Sequence, residues 1–233
     1  MKTQELPQLL RKNPYPGRGV VLGVTPDGRQ SAALYFIMGR SANSRNRVFV
    51  QEPDGIRTQA RDPEKMEDPS LVIYHPVRRV GRSLIVTNGD QTDTILEYLE
   101  RGQTLEQALR SREFEPDSPN WTPRISGLLS PDGGYKLSIL KSADEKGSAC
   151  LRQFFEYPGQ PGLGHFIHTY VQDGSPLPTF EGEPERVEIG QDMEDFARQV
   201  WESLNEENKI SLFVQYTSLE TGEARQLIFN KYE

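Results

Sequence analysis

Two widely separated stretches of this chain share one signature: an apolar run, a Pro-Asp-Gly turn, and a second run of strand-forming residues. The first is Gly23-Val24-Thr25-Pro26-Asp27-Gly28 followed by 31–38. The second is Gly127-Leu128-Leu129-Ser130-Pro131-Asp132-Gly133 followed by 135–140. Proline presets φ and glycine accepts a positive φ, so each stretch reads as a hairpin. The echo is short and turn chemistry alone favours it, but it fits a fold of two similar strand-rich halves. Further strands are expected at 48–50, 71–74, 83–87, 148–157 and 165–171, with a closing hairpin from 210–218 and 224–230. The runs 71–74 and 83–87 are continuously apolar, which predicts burial on both faces.

Helices are expected where the period changes. Thr94-Ile95-Leu96-Glu97 has the form of a capping box, and Gly102 is placed to end that helix. Thr104-Leu105-Glu106-Gln107 repeats the signal. Asp192 opens an amphipathic helix with Met193, Phe196, Ala197, Val200, Trp201 and Leu204 on one face. Residues 1–18 read as a polar, proline-punctuated extension, 52–69 as a surface loop, and 172–190 as a polar connection. The expectation is an α+β layered fold, with 19–233 as a single domain.

Composition narrows the function. The net charge of -7 argues against a general nucleic-acid role, which needs clustered Lys and Arg against phosphates. No apolar run approaches the roughly 18–20 residues of a membrane span, and the first residues lack a secretory pattern. A single cysteine, Cys150, precludes an internal disulfide and suits a reducing compartment, so a cytoplasmic location is expected. The arginines are unevenly placed: Arg40, Arg45 and Arg47 form one knot, and Arg78, Arg79 and Arg82 another. Local positive charge on an acidic chain suits a compact anion such as a nucleotide monophosphate.

The densest polar stretch is Thr87-Asn88-Gly89-Asp90-Gln91-Thr92-Asp93-Thr94, between an apolar run and a helix start. Helix capping and an Asn-Gly turn explain part of it. The remaining amides and carboxylates suit ribose hydroxyls or a heterocycle. In Gly39-Arg40-Ser41-Ala42-Asn43-Ser44-Arg45-Asn46-Arg47, guanidiniums grip phosphate and Ser and Asn complete its acceptors, although a solvated basic turn has the same composition. Tyr74 ends an apolar run and is either a core aromatic or a proton donor and acceptor. Arg124 follows Pro123, whose rigid turn either leaves it on the surface or aims it into a cleft. His165 and His168 form a weak metal signal without cysteine partners, and Cys150 reads as a buried hydrophobe. There is no P-loop and no dinucleotide fingerprint.

Several of these blocks, in order, resemble the archaeal-type IMP cyclohydrolase family: Gly39-Arg40-Ser41, Val72-Ile73-Tyr74-His75, Arg79-Val80-Gly81, Val86 to Ile95, Asn120 to Ile125, and Ile167-His168-Thr169-Tyr170. The resemblance implies the four-layer αββα sandwich of N-terminal-nucleophile (NTN) hydrolases, used without that nucleophile. It implies dehydrative ring closure of 5-formamidoimidazole-4-carboxamide ribonucleotide (FAICAR) to inosine monophosphate (IMP), with no cofactor and no metal. Tyr74 and Arg124 would then stabilise the formyl oxygen, with Tyr74 shuttling a proton. Asn88, Asp90, Asp93 and Thr94 would orient the carboxamide and ribose, and Arg40 with Arg45 or Arg47 would bind the phosphate. Ser41, Thr92, Thr169 and Tyr170 complete the expected substrate contacts. Asp90-Gln91 departs from a Ser-His type pair expected in archaeal members, and the end regions extend past the archaeal core. Other readings are a non-catalytic purine nucleotide-binding module and an amide hydrolase of the same fold. The expected partner is a small-molecule ribonucleotide, with no nucleic acid and no membrane; layered folds of this kind often form homo-oligomers.

Overall fold

The computed structural model describes residues 2–232. The hairpin signatures each form as expected. The first joins β1 (Arg18–Val24) to β2 (Gln30–Met38), and the second joins β7 (Arg124–Leu129) to β8 (Tyr135–Ser142). Gly28 and Gly133 sit at φ of 71° and 86°, the left-handed conformation that the turn chemistry requires. The hairpins belong to different sheets and face each other: a Cβ on Gly127 of β7 would meet Leu22 of β1 at 2.8 Å.

The first sheet contains six strands. Besides β1 and β2 these are β10 (Leu163–His168), β11 (Glu185–Glu188), β12 (Lys209–Ser218) and β13 (Ala224–Asn230), in the order β11-β10-β1-β2-β12-β13. The second contains seven, in sequence order: β3 (Arg47–Glu52), β4 (Gly55–Ala60), β5 (Val77–Val80), β6 (Ser83–Thr87), β7, β8 and β9 (Cys150–Tyr157). Every pairing within the two sheets is antiparallel.

Alternate residues of β2 explain why it is apolar throughout. Ala33, Tyr35 and Ile37 enter the core between the sheets, while Leu34, Phe36 and Met38 enter a second core on the outer face. That outer core is closed by α1 (Leu6–Lys12) and α5 (Met193–Ser203), whose Leu6, Leu10, Phe196 and Val200 are buried. On the other side, α3 (Gln91–Glu100) and α4 (Leu105–Arg110) bury Ile95, Leu105 and Leu109 against Ile85 and Leu140. Each such side chain contributes about 1.5–3 kcal/mol by leaving water. A one-turn helix, α2 (Ala42–Arg45), links β2 to β3. Among the described residues no helix is long and apolar enough to cross a membrane.

Several local expectations are corrected. Residues 71–74 form a turn rather than a strand. Val72 and Ile73 N–H groups donate to the Pro69 carbonyl, and the Tyr74 backbone N–H and carbonyl bond to Thr58. Pro69 and Pro76 bracket the segment, and proline cannot continue a ladder. The loop expected over 52–69 contains β4, whose buried Ile56 and Thr58 alternate with Arg57 and Gln59. The polar lead-in contains α1, pinned by Leu6 at 0% exposure. The helix expected to start at Thr94 begins at Gln91, with no side-chain cap from Asp90. The Thr104 capping box forms, and Asp192 caps α5 by accepting from the Asp195 N–H. Cys150 is half-buried rather than buried.

Candidate active site

A cleft of about 310 Å³ opens where β1 and β7 begin and β2 and β10 end. Its wall includes Tyr15, Arg18, Arg40, Ser41, Glu115 and Tyr170. The volume lies at the small end of the roughly 300–1,000 Å³ typical of small-molecule sites.

Arg18 starts β1. Its backbone N–H donates to Thr169 Oγ1 at 3.1 Å, and that hydroxyl donates onward to the Pro16 carbonyl. Thr169 therefore fixes where the arginine leaves the sheet. Tyr15, Tyr170, Glu115 and Tyr74 all lie within electrostatic reach of Arg18. Tyr170 stacks on Tyr15 at 5.9 Å, and its hydroxyl lies 2.6 Å from Thr122 Oγ1. Thr122 in turn donates to Asp117 and accepts, through its carbonyl, from the Glu115 N–H at 2.9 Å. Trp121, beside it, holds a φ of 44°, in the left-handed region that a bulky residue seldom enters.

Arg47 is the largest fully buried side chain, at 0% exposure. Its Nε donates to the Ser44 carbonyl at 2.8 Å and its Nη2 to Ser44 Oγ at 3.0 Å, but Nη1 has no partner. Burial, then the neighbouring Arg18 charge, lowers its hold on the proton, with Tyr74, Tyr35 and Glu115 acting in the opposite sense. The Tyr74 hydroxyl lies 2.8 Å from that of Tyr35, and both rings are buried. Burial, then Tyr74, pushes the Tyr35 phenol well above its usual range.

Glu115, at 4% exposure, is the acid of this group. Burial pushes its carboxyl up to about 7, Arg18, Arg124 and Arg47 pull it down, and Asp117 adds to the rise. Three guanidiniums thus surround one carboxyl able to exchange a proton near neutrality.

The residues expected from sequence divide into groups. Arg40, Ser41 and Tyr170 line the cleft; Tyr74, Arg47 and Thr169 do not line it but bond to or lie within electrostatic reach of Arg18, which does. Arg40 donates to Asp173 at 2.7 Å and lies over the Tyr15 ring. Arg124 is buried beside Glu115, with Nη1 reaching Gln91 Oε1 at 2.8 Å and Asp90 Oδ1 at 2.7 Å. Asp90 is also paired with Arg112; burial opposes its ionisation, but the two arginines outweigh this and lower its carboxyl.

The polar block around Asn88 mostly supports the interior. Asn88 donates to the Pro123 carbonyl at 2.8 Å and accepts from the Ile125 N–H and Gln91. Thr92 bonds Thr87 and the Gly89 carbonyl, and Thr94 contacts Arg112. A Cβ at Gly89 would stand 2.4 Å from Arg124 Nη1 and 2.6 Å from Gln91 Oε1, so a side chain there would have to displace that pair. Asp93 lies outside the cleft, 56% exposed and facing His75 and Arg78. Arg45 is engaged by the Gly39 carbonyl and Asn208, and it lines a different surface hollow. His165 and His168 point to opposite faces of β10, and the described residues hold no metal-sized cluster of His, Cys, Asp and Glu.

Sequence reasoning missed Arg18, Tyr35, Glu115, Asp117 and Thr122. A lone arginine between Gly17 and Gly19 at the head of an apolar strand was a usable signal. Nothing local marks Glu115, which sits in a Pro/Asp/Ser loop.

Comparison with known proteins adds to this geometry. The sequence model of a family described as "IMP cyclohydrolase-like protein" matches residues 15–222. The chain belongs to that family. This IMP cyclohydrolase-like chain is 35% identical over 133 residues to a protein of Halobacterium salinarum named IMP cyclohydrolase, covering 55% of this chain and 63% of that protein. It thus spans less than two thirds of that relative. It is also 30% identical over 183 residues to a Methanopyrus kandleri protein of the same name, covering 72% and 89%. With a Methanococcus aeolicus protein, again named IMP cyclohydrolase, it shares 27% over 160 residues, or 67% and 74%.

Proposed function

We propose that this chain is an IMP cyclohydrolase, closing the last ring of a purine in the cytoplasm by converting FAICAR to IMP and water. The family membership supports the substrate class, and one observation carries the chemistry. Arg47 Nη1 is a buried donor without a partner, within electrostatic reach of the Tyr74 hydroxyl and the Glu115 carboxyl. Buried donors are rarely left open, and Arg47 is bonded to Ser44 in the wall of the cleft, so Nη1 suits an oxygen on which charge develops. The αββα layering of NTN-hydrolases, without the nucleophile, is part of the same reading; helices on the outer faces of two stacked sheets support it.

In this reading the carboxamide nitrogen attacks the formyl carbon and forms the new C–N bond. The formyl oxygen gains charge, stabilised by Arg47 Nη1, and takes the proton of the Tyr74 hydroxyl to become the hydroxyl of a carbinolamine. Glu115 takes the proton from the attacking nitrogen. The C–O bond then breaks as Glu115 returns its proton to the departing oxygen, the formamide nitrogen gives its proton back to Tyr74, and the oxygen leaves as water. Positioning supplies much of the acceleration, because both reacting substituents sit on one planar ring. Arg40 and Ser41, at the rim, hold the phosphate end. Arg124 positions Glu115 from behind, held by Asp90 and Gln91, while Asn88 fixes the strand that carries it.

The test is to add FAICAR and follow ultraviolet absorbance for IMP, in parallel with Tyr74→Phe. Turnover by the natural chain, with a loss of about 10²–10³-fold and retained IMP binding in the variant, is the expected result. No conversion at high enzyme concentration rejects the reading.

A further inference from the structure

The residues that wall the cleft alternate along the chain with residues that face another cavity. Tyr15 and Tyr170 face the cleft, whereas Asn13, Pro16, His168 and Val171 line a separate pocket of about 350 Å³. Its charged lining is mainly acidic. Glu181, Glu183 and Glu185 line it against a single lysine, Lys12. Lys141 lies within electrostatic reach of Glu181, but its ammonium is tied to the Phe180 carbonyl at 2.8 Å.

The acidic rim is joined by a second, independent feature. His168 is 5% exposed, stacked on Phe166 with centroids 4.7 Å apart and met edge-on by Phe180 at 4.6 Å. Its Nδ1 lies 2.8 Å from the Tyr170 carbonyl, which also accepts from Asn13 Nδ2. A carbonyl only accepts, so Nδ1 carries a hydrogen and Nε2 is the ring nitrogen left facing the pocket. Nε2 stands 3.7 Å from Glu185 Oε2, beyond hydrogen-bond length. Neither hydrogen-bonds to the other, so a donor entering the pocket can reach both. Aromatic faces, apolar Leu9 and Leu10, and the half-exposed Val171 complete a lining suited to a cationic head on an aliphatic stem.

We propose that this pocket is a second ligand site, for a small organic cation: a primary amine or guanidinium whose N–H groups bridge His168 Nε2 and Glu185. Glu181 and Glu183 attract the charge, and the stem lies along the apolar wall. The site does not depend on the ring-closure chemistry, although it shares a wall with the cleft through Tyr170.

The probe is agmatine, which carries both head groups, titrated into the full chain by calorimetry at ionic strength held constant with sodium chloride. The imidazole nitrogens are followed by NMR. Saturable binding at one site per chain is expected, with a shift of the His168 Nε2 signal. Affinity falls at least tenfold in Glu185→Gln and in the double variant Glu181→Gln/Glu183→Gln, whose residues are exposed and leave the fold intact. Glu97→Gln/Glu100→Gln on the exposed side of α3 removes the same charge and leaves affinity unchanged. Three outcomes overturn the proposal: no saturation, equal weakening by the α3 variant, or a His168 ring that is doubly protonated and indifferent to agmatine.

Discussion

Replacing Glu115 by Gln separates catalysis from stability, because the two should move in opposite directions. The carboxyl titrates at about 7 in the fold against an ordinary 4.5. A raised carboxyl binds its proton more tightly when folded, so its stabilising contribution is complete below about pH 4.5 and is lost as pH rises through 7. The gap of about 2.5 pH units, at 1.36 kcal/mol each, makes the ionised side chain about 3 kcal/mol unfavourable at pH 8 relative to pH 4. Glutamine does not titrate. Denaturant unfolding of Glu115→Gln should therefore show its stability relative to the natural chain improving by about 3 kcal/mol from pH 4 to pH 8. Turnover should meanwhile fall about 10²–10⁴-fold at pH 7, the usual worth of a general base. The rise in kcat/KM through neutrality should also flatten. A stability difference independent of pH, with turnover within threefold of normal, would refute both the placement of this acid and its role.

Other substitutions test the remaining parts of the site. Arg47→Met should lower kcat about 10²–10³-fold with KM near its normal value, since the Nη1 donor is needed only as charge develops. Arg40→Gln should do the reverse, raising KM about tenfold or more through loss of a charged hydrogen bond while kcat holds. Gly89→Ala forces Arg124 and Gln91 apart and should destabilise the chain by about 1–3 kcal/mol, read from the denaturation midpoint. Asp93→Asn, on the exposed side of α3, should leave stability within about 0.5 kcal/mol and FAICAR turnover within threefold; a large loss of activity would bring Asp93 back to the chemistry.

Much of the scaffold was legible in the sequence because its causes are local. The two Pro-Asp-Gly turns act within four residues, the Thr104 box within three, and the face of α5 within three turns. Where local pattern failed, a longer-range cause prevailed. Residues 71–74 are apolar enough for a strand, yet flanking prolines and Thr58 draw them into a turn. The polar block from Asn88 to Thr94 lies against Arg124 and close to Glu115. Its amides and hydroxyls face inward, bonding to the strand that carries Arg124.

Sequence alone therefore determined the two Pro-Asp-Gly hairpins, the closing hairpin and the apolar face of α5. Only the tertiary structure decided the electrostatics. Arg18, Arg47, Arg124 and Glu115 come from the starts of three strands and one loop. Their charges acquire meaning only when packing removes water from between them. A carboxyl in an open loop has an ordinary value of 4.5, and burial pushes this one up to about 7 even though three guanidiniums pull it down. That difference is a property of burial, which no stretch of neighbouring residues encodes.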